Sequence, residues 1–338
     1  MPDAPSDLRK YLLFPSPNEI RDTRVLFHTR HATDLTEERK RRFGYTVIYH
    51  EAILRNLRNI GLNVTPGSDP EMFFRDLDFD YIYFTQIEGD FQGHELLVPC
   101  IAAFRGIPFL GPPAPVRALS EDKILAKALA ASIGIEVAKH RIISPGLPGI
   151  LDLSLPGRWI LKPRTGVMSE HITFIEGEAG WPAALANATD LRHAGREFIA
   201  ERFVPGLNLT VPVIEGFPLQ GFPVFVERGE PRNNILTEAG KEGQSGDYRS
   251  DPYSGPGADE ASAAAARLAA AIAPFDYARF DFRFDPEQGR LVFLEVNMNC
   301  AMGPAAVVTR AAALQGIDYQ LLVGHIFTHS LRRQQKAS

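Results

Sequence analysis

The stretch "ARFDFRFDPEQGRLVFLEVN", residues 278 to 297, reads as two strands around a turn that holds Pro286 and Gly289. Side chains alternate across a strand, so Phe280, Phe282 and Phe284 share one face of the first strand, while Arg279, Asp281 and Arg283 share the other. In the second strand the apolar Val292, Leu294 and Val296 are opposite in parity to Glu295 and Asn297. Matching the apolar faces predicts that Asp285 pairs with Leu291 across a five-residue loop, 286 to 290. That register sets Asp281 across from Glu295 and Arg279 across from Asn297. Two carboxylates in such a position repel each other. A divalent cation between them removes the conflict, and Asp, Glu and Asn supply the hard oxygens that Mg²⁺ prefers. Arg279 adds a fixed positive charge for negative charge developing in a reaction. The blander reading is a solvent-facing hairpin with Arg279 or Arg283 neutralising the acids; three oxygen side chains and an arginine on one face favour the metal.

Three more positions suit a bound anion or base. Lys123 lies in the first turn of a helical segment, where the macrodipole disfavours a cation unless it joins the helix end in holding an anion such as phosphate. Lys162 ends an apolar strand in "WILKP", so its ammonium is drawn inward toward a partner. Glu201 closes another apolar strand in "EFIAERFVPG", beside Phe203 and Val204; it suits either an edge-strand salt bridge, with Arg202 for example, or an acceptor for a purine amine. No GxxxxGK[ST] loop is present and no GxGxxG follows the first strand, so neither a P-loop nor a standard dinucleotide fold is indicated.

Length and composition place these positions in an ordinary enzyme-like protein. A chain of 338 residues has room for two or three domains. Its net charge of −5 argues against a general nucleic-acid binder, which needs a basic face. The opening "MPDAPSDLRK" has no apolar signal core, and "LLVPCIAAF" is too short to span a bilayer. Cys100 and Cys300 form no metal or disulfide spacing. A cytoplasmic protein with reduced thiols is expected, with no membrane or nucleic-acid partner.

Along the first ~110 residues strands alternate with helices, the pattern of an α/β domain: "RVLFH" (24 to 28), a helix over 47 to 61 stopped by Gly61, "DYIYFTQ" (80 to 86), a helix over 94 to 106 with Pro99 in its first turn, and "IPFLG". "GPPAP" (111 to 115) reads as a stiff linker, after which Ser120 is expected to cap a helix ending at Gly134. Residues 227 to 257 are rich in Gly, Ser, Pro and charge, which marks a lid or disorder. An Ala-rich helix over 259 to 273 leads into the hairpin.

Taken in order, "EDKILAK", "WILKP", "AERFVPGLNLTV", "ARFDFRF" and "FLEVN" resemble the ATP-grasp superfamily. "EGDFQG" and "FLGPPAPVRALSEDKILAKALAASIGI" resemble its D-alanine–D-alanine ligase branch. The resemblance covers about residues 80 to 330 and implies an α/β (α+β) fold of three parts. These are an N-terminal Rossmann-like domain (1 to 116), a central subdomain (117 to 204) and a C-terminal subdomain (205 to 338) with a lid loop at 227 to 257. ATP is then gripped between the last two. By this resemblance Lys123 and Lys162 meet the phosphates and base, Glu201 accepts from the adenine amine, and the main chain at Phe203 and Val204 meets the base. Asp281, Glu295 and Asn297 match magnesium ligands, with Mn²⁺ an alternative; Arg279 matches an arginine that stabilises the acyl-phosphate and tetrahedral states; Lys241 sits in the lid. The implied reaction joins a carboxylate to an amine through an acyl phosphate, releasing ADP and phosphate. The alternative is a phosphotransferase of the same fold that stops after phosphorylating a small acceptor. A homodimer is an allowed assembly.

Departures from the pattern fall at defined places. Asn208 stands where the family has a ribose-binding acid, and "RTGVMSEH" replaces a Ser/Gly-rich loop, leaving Ser169 in register. The family's glycine-rich first loop is replaced by "RVLFHTRHATDLTEE", and the serine that meets the second substrate's carboxylate is Ala306. These losses predict substrates other than two D-alanines, held near Gln92, His94, Met302, Gly303 and Ala306.

Overall fold

The computed structural model of the chain describes residues 7–38, 44–75, 77–85, 94–144, 155–165, 172–188, 197–229 and 249–335. Three sheets organise them. The first is parallel, with β1 (Arg24–His28) between β2 (Asn63–Gly67) and β3 (Tyr81–Phe84). Phe109 extends it through a parallel bridge to Ile82, which is all that forms of the expected strand "IPFLG". Its helices include α1 (Pro17–Asp22), closed by a Ser16–Glu19 capping box, and α2 (Tyr45–Asn59), ended by Gly61 at φ 100°. α3 (Leu97–Arg105) has Pro99 in its first turn and Gly106 in the left-handed conformation after its end.

The segment between the first two sheets departs from expectation. Residues 111 to 115 are not a linker throughout, because α4 (Ala114–Glu121) starts inside them. Ser120 does not cap the next helix; it lies within α4, and its hydroxyl donates to the Arg117 carbonyl. The chain instead breaks at Asp122, whose extended backbone and carboxylate, accepting from the Ile124 and Leu125 amides, start α5 (Lys123–Ser132). An aspartate serves better than the serine because Arg164 also grips its carboxylate, with 2.7 Å between Arg164 Nη2 and Asp122 Oδ2.

The second sheet is antiparallel, in the order β4 (His140–Ile143), β7 (Phe198–Arg202), β5 (Arg158–Pro163), β6 (Thr173–Glu176). One face packs Trp159, Leu161, Phe198 and Ala200 on Trp181 and Leu185 of α6 (Trp181–Ala188). Alternation turns Lys162 and Glu201 to the other face. β7 is an interior strand, so Glu201 is not an edge residue.

The third sheet has the order β10 (Arg249–Tyr253), β9 (Val224–Arg228), β8 (Leu207–Ile214), β11 (Tyr277–Asp285), β12 (Arg290–Met298). Both ends of the expected lid are thus strand, paired antiparallel from Arg228–Arg249 to Val224–Tyr253; residues 230 to 248 lie outside the described part. α7 (Ala258–Ile272) lays Ala261, Ala265, Leu268 and Ile272 against Phe280, Phe282, Leu209 and Val211, its alanines allowing a close approach.

The β11–β12 ladder holds two registers. Asp281 pairs with Glu295 and Arg279 with Asn297, as expected, but a bulge follows, and beyond it Phe282 pairs with Phe293 and Asp285 with Arg290. The expected Asp285–Leu291 pair does not form, and the turn is one residue shorter. Leu291, Phe293, Val296 and Met298 therefore join the phenylalanine face. Val292 packs instead with Val204 and Ala138 on the opposite face. Skipping Leu294 lets both ends of the strand bury their largest apolar groups.

The last helices, α8 (Val307–Leu314) and α9 (Tyr319–Gln335), return to the first sheet. Val308, Ala311, Leu322, Ile326 and Phe327 share a core with Val25, Phe27, Tyr49 and Tyr83. Among the described residues no helix is long and apolar enough to cross a membrane.

Candidate active site

One face of the third sheet collects the polar residues. Asn208 and Thr210 come from β8, Glu227 from β9, Arg279, Asp281 and Arg283 from β11, and Glu295 and Asn297 from β12. The opposite parity of each strand is apolar and covered by α7, so alternation alone assembles this face.

Asp281 is its centre. Oδ1 accepts from the Thr210 hydroxyl at 2.8 Å; Oδ2 accepts from the Asn297 amide at 2.8 Å and pairs with Arg279 Nη2 at 3.1 Å. The Thr210 hydroxyl also lies 3.1 Å from Glu227 Oε2, and Arg279 Nη1 lies 3.9 Å from Glu227 Oε1. Glu295 faces Asp281 across the ladder and reaches Lys123 Nζ at 3.9 Å. The four residues expected to act together at the metal are thus brought together. Among the described residues no group of three His, Cys, Asp or Glu encloses a metal. Two facing carboxylates and one amide fit an ion that takes its remaining oxygens from phosphate and water.

The lysines and Glu201 form the neighbouring group. Glu201 is buried between Lys162 and Lys127, with both ion pairs at 2.8 Å. Burial opposes its charge, but the two ammonium groups hold its pKa at about 2. Burial also works against the charge of Lys162, yet Glu201 and Glu295 outweigh it and raise its pKa. Lys123 and Lys127 are lowered, by burial first, with Glu295 and Glu201 respectively opposing the shift.

Phe203 lies between two guanidinium groups, Arg158 and Arg283, with centroid distances of 5.0 and 5.2 Å. Arg283 also donates to the Val204 carbonyl at 2.9 Å and to Asn208 Oδ1 at 2.7 Å, while Asn208 Nδ2 donates to the Glu227 carbonyl at 3.2 Å. Asn208 therefore has both ends of its amide engaged by the protein. Arg202 does not pair with Glu201; it stacks over Trp159.

The substrate end is less concentrated. His94 is half-buried, with Nε2 3.6 Å from Glu95. Gly303 is buried and its carbonyl accepts from the Ala306 amide at 2.9 Å. Ala306 stands at the N-cap of α8 without a capping side chain. Met302, expected beside the substrates, is fully buried in the core of the first sheet instead, because that core extends under the 302 segment. Cys300 has its thiol pushed up to about 12 by burial. Gln92, Ser169 and Lys241 lie outside the described residues.

Sequence reasoning passed over Lys127, Thr210 and Glu227. Lys127 is four residues after Lys123, on the same helix face, and two like charges so placed call for an acid opposite them. Thr210 shares the parity of Asn208 in "LNLTV". Glu227 carried no signal beyond its place at the end of "VFVER".

No protein-family model matches the chain. It is 29% identical over 249 residues to a D-alanine–D-alanine ligase of Acidiphilium cryptum, covering 71% of this chain and 76% of that protein. A D-alanine–D-alanine ligase of Gloeobacter violaceus is 25% identical over 295 residues, covering 85% and 94%. Among solved structures, a D-alanine–D-alanine ligase of Bacillus anthracis complexed with ATP superposes with a TM-score of 0.71 at 17% identity, covering 94% of this chain and all of that one. A D-alanyl-alanine synthetase A of Vibrio cholerae gives 0.70 at 16% identity, covering 92% and 98%. The chain has the ATP-grasp fold and resembles the D-alanine–D-alanine ligase branch.

Proposed function

We propose that this ATP-grasp chain is an ATP-dependent carboxylate–amine ligase that uses Mg²⁺ and joins substrates other than two D-alanines. The observation that carries the reading is the single polar face on which Arg279, Asp281, Glu295 and Asn297 converge beside Lys123, Lys162 and Glu201. Asp281, Glu295 and Asn297 would hold the metal, which when bound offsets charge on the transferring phosphoryl group. In the ligase reaction a substrate carboxylate attacks the γ-phosphate, giving an acyl phosphate and ADP. An amine then attacks the acyl carbon and phosphate leaves.

The chain's own groups suit this sequence. Lys123 and Lys162 supply positive charge at a buried site, where it acts strongly on a phosphate. Arg279, held between Asp281 and Glu227, is a preorganised cation for the tetrahedral oxyanion. Glu201 and the main chain at Phe203 and Val204 suit the adenine edge and Ser169 the phosphate; Asn208 stands where the ribose is expected, with its amide already engaged by Arg283 and Glu227. Lys241 would cover the γ-phosphate from the 230 to 248 segment.

A different substrate pair is supported by two positions. Ala306 has no side-chain donor for a carboxylate, and losing such a donor leaves that group under-bonded by about 1–3 kcal/mol. β1 runs into His28, Thr29 and His31, all buried, rather than into a glycine loop.

The test is phosphate release at saturating ATP. ADP and phosphate should appear together only when both a carboxylate and an amine are supplied, and D-alanine alone should give no dipeptide. Robust dipeptide formation from D-alanine would overturn the substrate assignment, and a stable phosphorylated product without amine would mark a kinase. Asp281→Asn and Glu295→Gln should each lower turnover about 100-fold or more while the circular-dichroism spectrum stays unchanged.

A further inference from the structure

Lys127 is fully buried, and its Nζ reaches three oxygens on two sheets. Glu201 Oε1 of β7 lies at 2.8 Å, and the carbonyls of Leu294 and Phe293 in β12 lie at 2.7 and 3.3 Å. Nζ also stands over the Phe293 ring, 5.9 Å from its centroid. On the same edge of β12, the Phe293 amide donates to the Glu136 carbonyl at 2.9 Å.

Leu294 is the residue skipped by the bulge between the Asp281–Glu295 and Phe282–Phe293 pairs. Its removal from the ladder is what brings the two acids together. Continued without a bulge, the register at the turn end, where Asp285 meets Arg290, would set Leu294 across from Asp281 and Glu295 across from Phe280. Because side-chain faces alternate, Glu295 and Asn297 would then turn to the α7 face. β12 is the edge strand of its sheet and the bulge takes Leu294 out of the ladder, so buried carbonyls there need a donor from elsewhere. Lys127 is that donor, and Glu201 balances its charge.

We infer that Lys127 is a positioning residue that holds the bulge at Leu294, and through it the pairing of Glu295 with Asp281 on which magnesium–nucleotide binding depends. This rests on the nucleotide reading above. Lys127 itself touches neither metal nor phosphate in this role. It sets which face of β12 its acid presents.

Calorimetric titration of ADP with and without Mg²⁺ separates positioning from support of the fold. The readout is the ratio of the two dissociation constants. Wild type should bind ADP much more tightly with Mg²⁺, and Lys127→Met should shrink the ratio about 10- to 100-fold, the usual cost of losing a group that orients a metal ligand. Removing one member of a buried ion pair threatens the fold, so Lys127→Met/Glu201→Gln, which removes both charges, is compared with Glu201→Gln alone. Glu201→Gln should weaken ADP in both arms and keep the ratio; the double variant should lose it. A folded double variant with the ratio of Glu201→Gln overturns the inference. Absence of ADP binding by wild type overturns both this inference and the nucleotide reading, whereas a Mg²⁺-dependent wild type with a Mg²⁺-dependent double variant overturns this one alone.

Discussion

Glu201 shows how one buried charge is kept. Burial alone would raise its pKa, but Lys127 and Lys162, each 2.8 Å away, hold it at about 2 against an ordinary 4.5. A carboxylate whose folded pKa is depressed adds stability that is complete above its unfolded value and is lost as pH falls through the folded one. The window is therefore pH 4.5 down to about 2, with a ceiling on the order of 3 kcal/mol. Urea unfolding across that window should show a shallower loss of stability in Glu201→Gln than in wild type; equal slopes would deny the carboxylate this role. Residues of this kind differ in how far the sequence reveals them. Asp281, Glu295 and Asn297 were legible because strand parity sets them apart from their apolar neighbours. Lys127 was not, since nothing local to a helical lysine says that a carboxylate 74 positions on and two carbonyls beyond it will lie at its tip.

Among the elements, the junction at Asp122 carries the most consequence. It ends α4, caps α5 and anchors Arg164 at the end of β5, so the start of the helix that presents Lys123 is fixed by one carboxylate. Asp122→Ala should cost about 1–2 kcal/mol through the lost cap. It should also raise the KM for ATP more than it lowers kcat, because Lys123 loses its fixed origin; an unchanged KM would separate the cap from the site. The sequence pointed to Ser120 as the cap, and the distant Arg164, which favours Asp122 instead, gives no local signal. The bulge was equally hidden. Apolar residues at 291 to 294 run without alternation, so parity there fits either register, and the choice falls to Lys127 and to α7 packing on the sheet.

For the whole molecule, Asp276 is the fastener. Its buried carboxylate accepts from the Gly111 amide at 2.5 Å and from Arg333 at 2.9 Å, with His329 at 3.6 Å. It thereby joins the first sheet, the strand bearing Asp281 and the last helix. Beside it Gly111, at φ 104°, leaves no room for a Cβ, which would lie 2.5 Å from Asn299 Nδ2. Asp276→Ala strands Arg333 and should cost about 3–5 kcal/mol in urea unfolding. A loss below 1 kcal/mol would mean that the three parts are held elsewhere. The strand and helix alternation of the first 110 residues made the α/β class legible, but not that its core is completed from the far end of the chain. Helix α9 is buried on all sides from Leu322 to Thr328, and no local signal in its sequence names its partner.

That docking sets an order on synthesis. Val25, Phe27 and Tyr83 leave the ribosome well before Leu322, Ile326 and Phe327, which cover them. In that interval the nascent first sheet has an uncovered apolar side, which invites aggregation or chaperone capture. Emergence of α9, rather than of residues 1 to 116, is when the first sheet can first close.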